Sequence, residues 1–137
     1  MPKEPTSIPL ETLVREARRA SERAYCPYSK FPVGAAVLGR SGKIYTGCNV
    51  ENAAYGSTIC AERNAIFQMV AAGEREIEAV IIYTPTKITS APCGACRQVI
   101  NEFGPNARII SVCDTGDRVD APLSDLLPHA FGPKNLP

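Results

Sequence analysis

Two short stretches constrain this chain more than any other part of it. Thr58-Ile59-Cys60-Ala61-Glu62-Arg63 and Ala91-Pro92-Cys93-Gly94-Ala95-Cys96-Arg97 together hold three thiols and one carboxylate. About thirty residues separate them, so a fold that uses them as a unit must bring two distant segments to one point. A catalytic zinc site takes three protein ligands and keeps a fourth position for water. Cys60, Cys93 and Cys96 meet that count, and Glu62 is left over as a proton carrier. Other readings stay open on the motifs alone. A lone C-x-x-C also serves as a redox pair or as half of a structural zinc site. A structural site needs a fourth Cys or His, and the one histidine, His129, lies far downstream. Cys26, Cys48 and Cys113 each stand alone and are expected to behave as small buried apolar residues.

The chain has 137 residues, the size of one domain with one core. A single domain over residues 1–137 is expected, with loose ends at 1–8 and 133–137. The formal net charge is +1 and no basic run stands out, which argues against a nucleic-acid partner. The first ten residues are polar and proline-rich, without the apolar centre of a signal peptide. No apolar run approaches a membrane span. The expected location is therefore the cytoplasm, without membrane association. Cysteines there are reduced, and metal binding or catalysis is their usual use.

Leu10, Leu13, Val14, Ala17, Ala20 and Ala24 recur at helical spacing, which predicts a helix over 9–24 with Pro9 in its first turn. Residues 31–38 and 43–50 read as two strands around a Gly39-Arg40-Ser41-Gly42 hairpin turn. The small residues Gly34, Ala35 and Ala36 would let another element approach closely. Asn49 and Glu51 point the same way in an extended segment and could hold a diol, or could simply form a solvated strand end. A largely apolar helix is predicted over 59–72, stopped at Gly73. Its start would favour thiolate at Cys60. A central strand is predicted over 76–84, a loop over 85–91 and a helix over 93–103 that sets Cys93 and Cys96 on one face. Residues 108–113 read as a further strand, 114–120 as a polar turn and 123–127 as a short helix or turn stopped by Pro128. Phe131 is expected to pack locally. This order predicts an α/β domain, a mixed sheet with helices on its faces.

Four separated motifs also carry a resemblance: CPYSKFPVGAAVL, TGCNVENAAYGSTICAERNAI, SAPCGACRQVINEFG and LLPHAFGP. In this order they resemble the small homotetrameric zinc-dependent cytidine deaminases over nearly the whole chain. The C/H-x-E and P-C-x-x-C pattern is the signature of zinc deaminases. The resemblance implies a three-layer cytidine deaminase-like fold with a mixed five-stranded sheet. It implies hydrolysis of cytidine and 2′-deoxycytidine to uridine and 2′-deoxyuridine with release of ammonia, in pyrimidine salvage. By position it implies one zinc per subunit on Cys60, Cys93 and Cys96, with Glu62 as proton shuttle. Asn49 and Glu51 would hold a sugar hydroxyl, Phe31 would lie beside the base, and the Ala61 backbone would recognise the pyrimidine carbonyl. Phe131 resembles an aromatic residue that enters a neighbour's site, and Ala53 and Tyr55 resemble further neighbour contacts. Three thiolates on a dipositive ion leave a net charge of −1, and Arg63 is expected to offset it by hydrogen-bonding the sulfurs. The alternatives are a deaminase of another aminopyrimidine, a polynucleotide deaminase, a zinc module without activity, and a redox protein.

Overall fold

The computed structural model describes residues 8–137. The expected loose segment 1–8 therefore lies outside the described residues except for Ile8. Five strands form one sheet in the order β2-β1-β3-β4-β5. They are β1 (Gly34–Gly39), β2 (Ile44–Cys48), β3 (Ile77–Tyr83), β4 (Arg108–Val112) and β5 (Arg118–Pro122). Among the five described strands only β3 and β4 pair in parallel, and the long crossover that parallel neighbours require contains a helix. The helices are α1 (Leu10–Ser21), α2 (Ala61–Ala71), α3 (Gly94–Phe103) and the short α4 (Leu123–Leu126).

Alternation along the strands feeds two cores. Ala36, Leu38, Ala79, Ile81, Tyr83, Ile110 and Val112 meet Leu13 and Ala17 of α1 on one face. Ala35, Val37, Val80, Ile82 and Ile109 meet Ala61, Ala65, Ile66 and Met69 of α2, Ile100 of α3 and Leu123 of α4 on the other. The result is the expected three-layer arrangement, with α1 the one helix on its side among the described residues.

Two glycines set how close the helices come. A Cβ on Gly34 would run into the Ala17 carbonyl oxygen and the Ser21 amide of α1. A Cβ on Gly47 would lie 2.5 Å from the Ala65 nitrogen and 2.7 Å from the Ala61 oxygen, so β2 holds the first turn of α2 by direct backbone contact. Gly73 ends α2 with φ +94°, and its amide reaches the Val70 carbonyl at 3.0 Å.

Several boundaries differ from expectation, each with a visible cause. The first helix stops at Ser21, not 24, because Tyr25 leaves to pair with Val50: its amide donates to the Asn49 carbonyl at 3.0 Å and its own carbonyl accepts from Glu51 at 2.8 Å. The first strand begins at Gly34 instead of 31. The Asn49 side chain takes over the backbone there, accepting from the Val33 amide at 2.9 Å and donating to the Phe31 carbonyl at 2.8 Å. The second strand is correspondingly shorter, and Val50 makes only isolated bridges to Tyr25 and Ile59. Residues 118–120, expected in a turn, belong to the edge strand β5, which Arg108 clamps through Asp120 at 2.6 Å. Residues 133–135 form a 3₁₀ turn. Cys113 is buried as expected, whereas Cys26 and Cys48 are only half-buried.

Candidate metal centre

The two motifs meet where α2 and α3 begin. Cys60 is the N-cap residue of α2 and Cys93 that of α3, both with extended backbone, while Cys96 lies in the first turn of α3. The two outer thiols thus sit one step before their helices, not inside the first turn. No cap hydrogen bond is made by either cysteine side chain. Both sulfurs are free to face one another instead, at 3.8 Å. All three sulfurs lie within 4.8 Å of one another. Four ligands at the zinc–thiolate length of about 2.3 Å in tetrahedral array put sulfurs about 3.8 Å apart. The three thiols therefore fit a zinc ion, and among the described residues no fourth Cys, His, Asp or Glu joins the group.

Electrostatics in the cradle are strongly perturbed. The Cys60 thiol is pulled down to about 5, first by its hydrogen bond with Cys96, with Arg63 and Cys93 adding. Cys96 is pushed up by the same bond, since the pair shares one proton. Metal binding removes that proton, because thiolate is the ligand. Arg63 donates from Nη2 to the Cys60 sulfur at 3.5 Å, and this contact raises its own pKa. Its Nε is buried without a partner. Glu62, only 5% exposed, is pushed up to about 7, chiefly by burial, with the negative Cys60 adding. A carboxyl poised there can take and give a proton near neutral pH. Ala61 is fully buried and opens α2, so its amide is one of the helix's orphan donors.

Two further groups of sequence-predicted site residues are tied together by their own contacts. Phe31, 38% exposed, has its amide on the Ser29 hydroxyl at 3.0 Å and its carbonyl on Asn49. Glu51 Oε1 accepts the amides of Tyr28 at 3.0 Å and Ser29 at 3.1 Å, and Oε2 accepts the Ser29 hydroxyl. Glu51 and Tyr55 line one cavity of about 400 Å³ with Tyr28, Ser29 and Thr58. Tyr55, 74% exposed, meets Tyr28 edge-on with ring centroids 5.7 Å apart. Ala53 is exposed in the turn before it. Phe131 stays outside this group. Its ring is 60% exposed, and its carbonyl is held on α3 by Gln98 Nε2 at 2.6 Å and Asn101 Nδ2 at 3.3 Å.

Sequence reasoning missed two supports. Ser29 anchors Glu51 from 22 residues away, and no local pattern marks that. Arg97 donates from Nε to the Pro92 carbonyl at 2.7 Å and from Nη1 to the Leu126 carbonyl at 2.8 Å. It thereby fixes the approach to Cys93, and its place directly after Cys96 was the available signal.

A mixed sheet whose helix starts deliver three thiols and a buried carboxyl to one point has the form of a zinc-dependent hydrolase. Comparison with known proteins narrows this. Residues 8–112 match the family described as the cytidine and deoxycytidylate deaminase zinc-binding region. A cytidine deaminase of Sporosarcina psychrophila is 46% identical over 128 residues, covering 93% of this chain and 94% of the relative. One from Halalkalibacterium halodurans is 42% identical, covering 92% and 96%. The crystal structure of cytidine deaminase from Burkholderia pseudomallei superposes with a TM-score of 0.86 at 45% identity, over 90% of this chain and all of that one. The Mycobacterium tuberculosis enzyme gives 0.80 at 38%, over 92% and 99%. The chain belongs to the cytidine and deoxycytidylate deaminase zinc-binding family.

Proposed function

We propose that this chain, acting as one domain, hydrolyses cytidine and 2′-deoxycytidine to uridine and 2′-deoxyuridine with release of ammonia. One zinc ion per subunit is held by Cys60, Cys93 and Cys96. The observation that carries this reading is the cradle of three sulfurs, all within 4.8 Å of one another, beside the buried Glu62 carboxyl. When bound, the ion supplies Lewis acidity that brings a water's ionisation near neutral pH.

The residues of the chain do the rest. Glu62 takes the proton of the attacking water and delivers it to the pyrimidine ring nitrogen, making C4 the better electrophile. It then passes a proton to the amino group, which leaves as ammonia. One carboxyl serves both steps because it is base and acid in turn. The Ala61 amide, in the first turn of α2, has no partner within the helix and is a donor suited to the pyrimidine carbonyl. Arg63 offsets the thiolate charge through Cys60. Asn49 spends its carbonyl on Val33 and one N–H on Phe31, and keeps one N–H. Glu51 keeps one acceptor position on Oε2. One donor and one acceptor together suit a sugar hydroxyl, and the Phe31 ring lies beside the base.

The working form is a homotetramer in the cytoplasm with sites shared between subunits. Tyr25, Tyr28, Val50, Tyr55, Phe67 and Phe131 are 45–74% exposed, apolar surface that favours burial against other copies. Ala53, Tyr55 and Phe131 would contact the neighbour's site. The near-neutral charge of +1 favours a small nucleoside over a polyanion. No helix among the described residues is long and apolar enough to cross a membrane. The test is turnover of cytidine by zinc-loaded protein, followed as loss of its ultraviolet absorbance. Conversion to uridine is expected; folded, zinc-loaded protein that converts none would overturn the substrate assignment.

A further inference from the structure

Glu51 and Phe31 come from different segments, and both are tied to one hydroxyl. The Ser29 Oγ–H donates to Glu51 Oε2, and the same oxygen accepts the Phe31 amide at 3.0 Å. The geometry that permits this is local and unusual. Lys30 stands in the left-handed region at φ +57°, which turns the chain back on itself, and its amide closes the turn on the Cys26 carbonyl at 3.0 Å. The Phe31 amide consequently points back at the Ser29 side chain. The backbone of the same turn supplies both amides that saturate Glu51 Oε1. The Ser29 hydroxyl is thus the only side-chain donor on the carboxylate oxygen that retains a position for substrate, among the described residues. It is also the first influence holding the Glu51 carboxyl below its ordinary range, ahead of the amides and Lys30.

We infer that Ser29 is a positioning residue for nucleoside binding, one hydroxyl that fixes the direction of the Glu51 carboxylate and the place of the Phe31 ring together. This rests on the reading that Glu51 and Phe31 contact the nucleoside. A carboxylate oxygen that has lost its fixed donor aims its remaining acceptor position less well, and the Phe31 amide is left without a partner. Both defects weaken binding of the sugar and base while leaving the proton transfers at Glu62 untouched. Ser29 therefore acts on KM, not on kcat.

Steady-state kinetics of the zinc-loaded protein with cytidine decide this. Ser29→Ala should raise KM about tenfold, the low end of what a charge-assisted hydrogen bond contributes, with kcat within about threefold. Ser29→Thr, which keeps the hydroxyl, should restore most of the loss. In a Glu51→Ala background, Ser29→Ala should add no more than about threefold, because part of its effect has lost its object. An unchanged KM in Ser29→Ala overturns the inference if Glu51→Ala does raise KM. So does a Ser29→Thr variant as poor as Ser29→Ala at equal melting temperature, or a full tenfold effect that survives removal of Glu51. If Glu51→Ala itself leaves KM unchanged, the nucleoside reading of Glu51 has failed, and the inference falls with it.

Discussion

Replacing Glu62 with Gln should separate the chemistry of the site from its stability. In the metal-free protein the carboxyl is almost wholly buried, and its pKa rises from about 4.5 to about 7. The folded state therefore holds a proton that the unfolded state has already released between these pH values. Stability falls with rising pH across such a window, because the native state binds more protons. A shift of about 2.5 units at about 1.36 kcal/mol each amounts to a cost of about 3 kcal/mol once pH reaches 7. Gln keeps the shape and has nothing to ionise. Metal-free Glu62→Gln should thus match the native chain to within about 1 kcal/mol at pH 4.5 and exceed it by about 3 kcal/mol at pH 7.5. The assay is urea unfolding at both pH values, with chelator, reductant and equal protein concentration. Cys60, depressed to about 5, works in the opposite direction: its contribution is full above the ordinary thiol range and is lost as pH falls toward 5. It is present in both proteins but interacts with Glu62, so the difference between them reads the carboxyl together with its repulsion from that thiolate. Zinc-loaded Glu62→Gln should meanwhile lose about 10²–10⁴-fold in turnover. A stability difference that does not change with pH would refute the burial argument, and retained turnover would remove Glu62 from the mechanism.

Two other substitutions probe the supports of the centre. Arg63→Gln removes the donor on the Cys60 sulfur and should cost about 10–100-fold in turnover or in zinc retention, read by kinetics and by competition with a chelator; wild-type values for both would dismiss charge compensation by Arg63. Gly47→Ala forces a methyl against the Ala65 and Ala61 backbone and should destabilise by about 1–3 kcal/mol in urea unfolding, because neither atom belongs to a movable side chain. An unchanged midpoint would mean that α2 can retreat from β2 at no cost.

The ligand set was legible because its chemistry is sparse. Three thiols at fixed spacing, with a carboxylate two residues after the first, have few other uses, and α2 and α3 follow directly from the apolar patterns behind them. The sheet was legible where strands are buried: β1 and β3 are nearly continuous apolar runs. The strand β5 was not, since Arg118, Asp120 and Pro122 alternate with only half-buried Val119 and Ala121. An edge strand carrying charge and proline reads as a turn. The truncation of β1 was hidden for another reason. Nothing near Phe31 announces that an amide 18 residues later will replace the ladder. The frame around Glu51 is equally nonlocal, built by a reverse turn whose one strained residue, Lys30, is not a glycine.

Cys60 and Cys93 occupy positions where Ser, Thr, Asp or Asn usually satisfies a helix start. Here the cap residues have turned their side chains toward each other and away from the helix amides. The net negative charge of a zinc–trithiolate unit at two positive helix ends supplies the missing anion. Metal occupancy and order in the first turns of α2 and α3 then form a single equilibrium. Proteins are degraded through such local openings, in proportion to how often they occur. For this chain, the cell's supply of zinc would govern how long a molecule survives as well as whether it works.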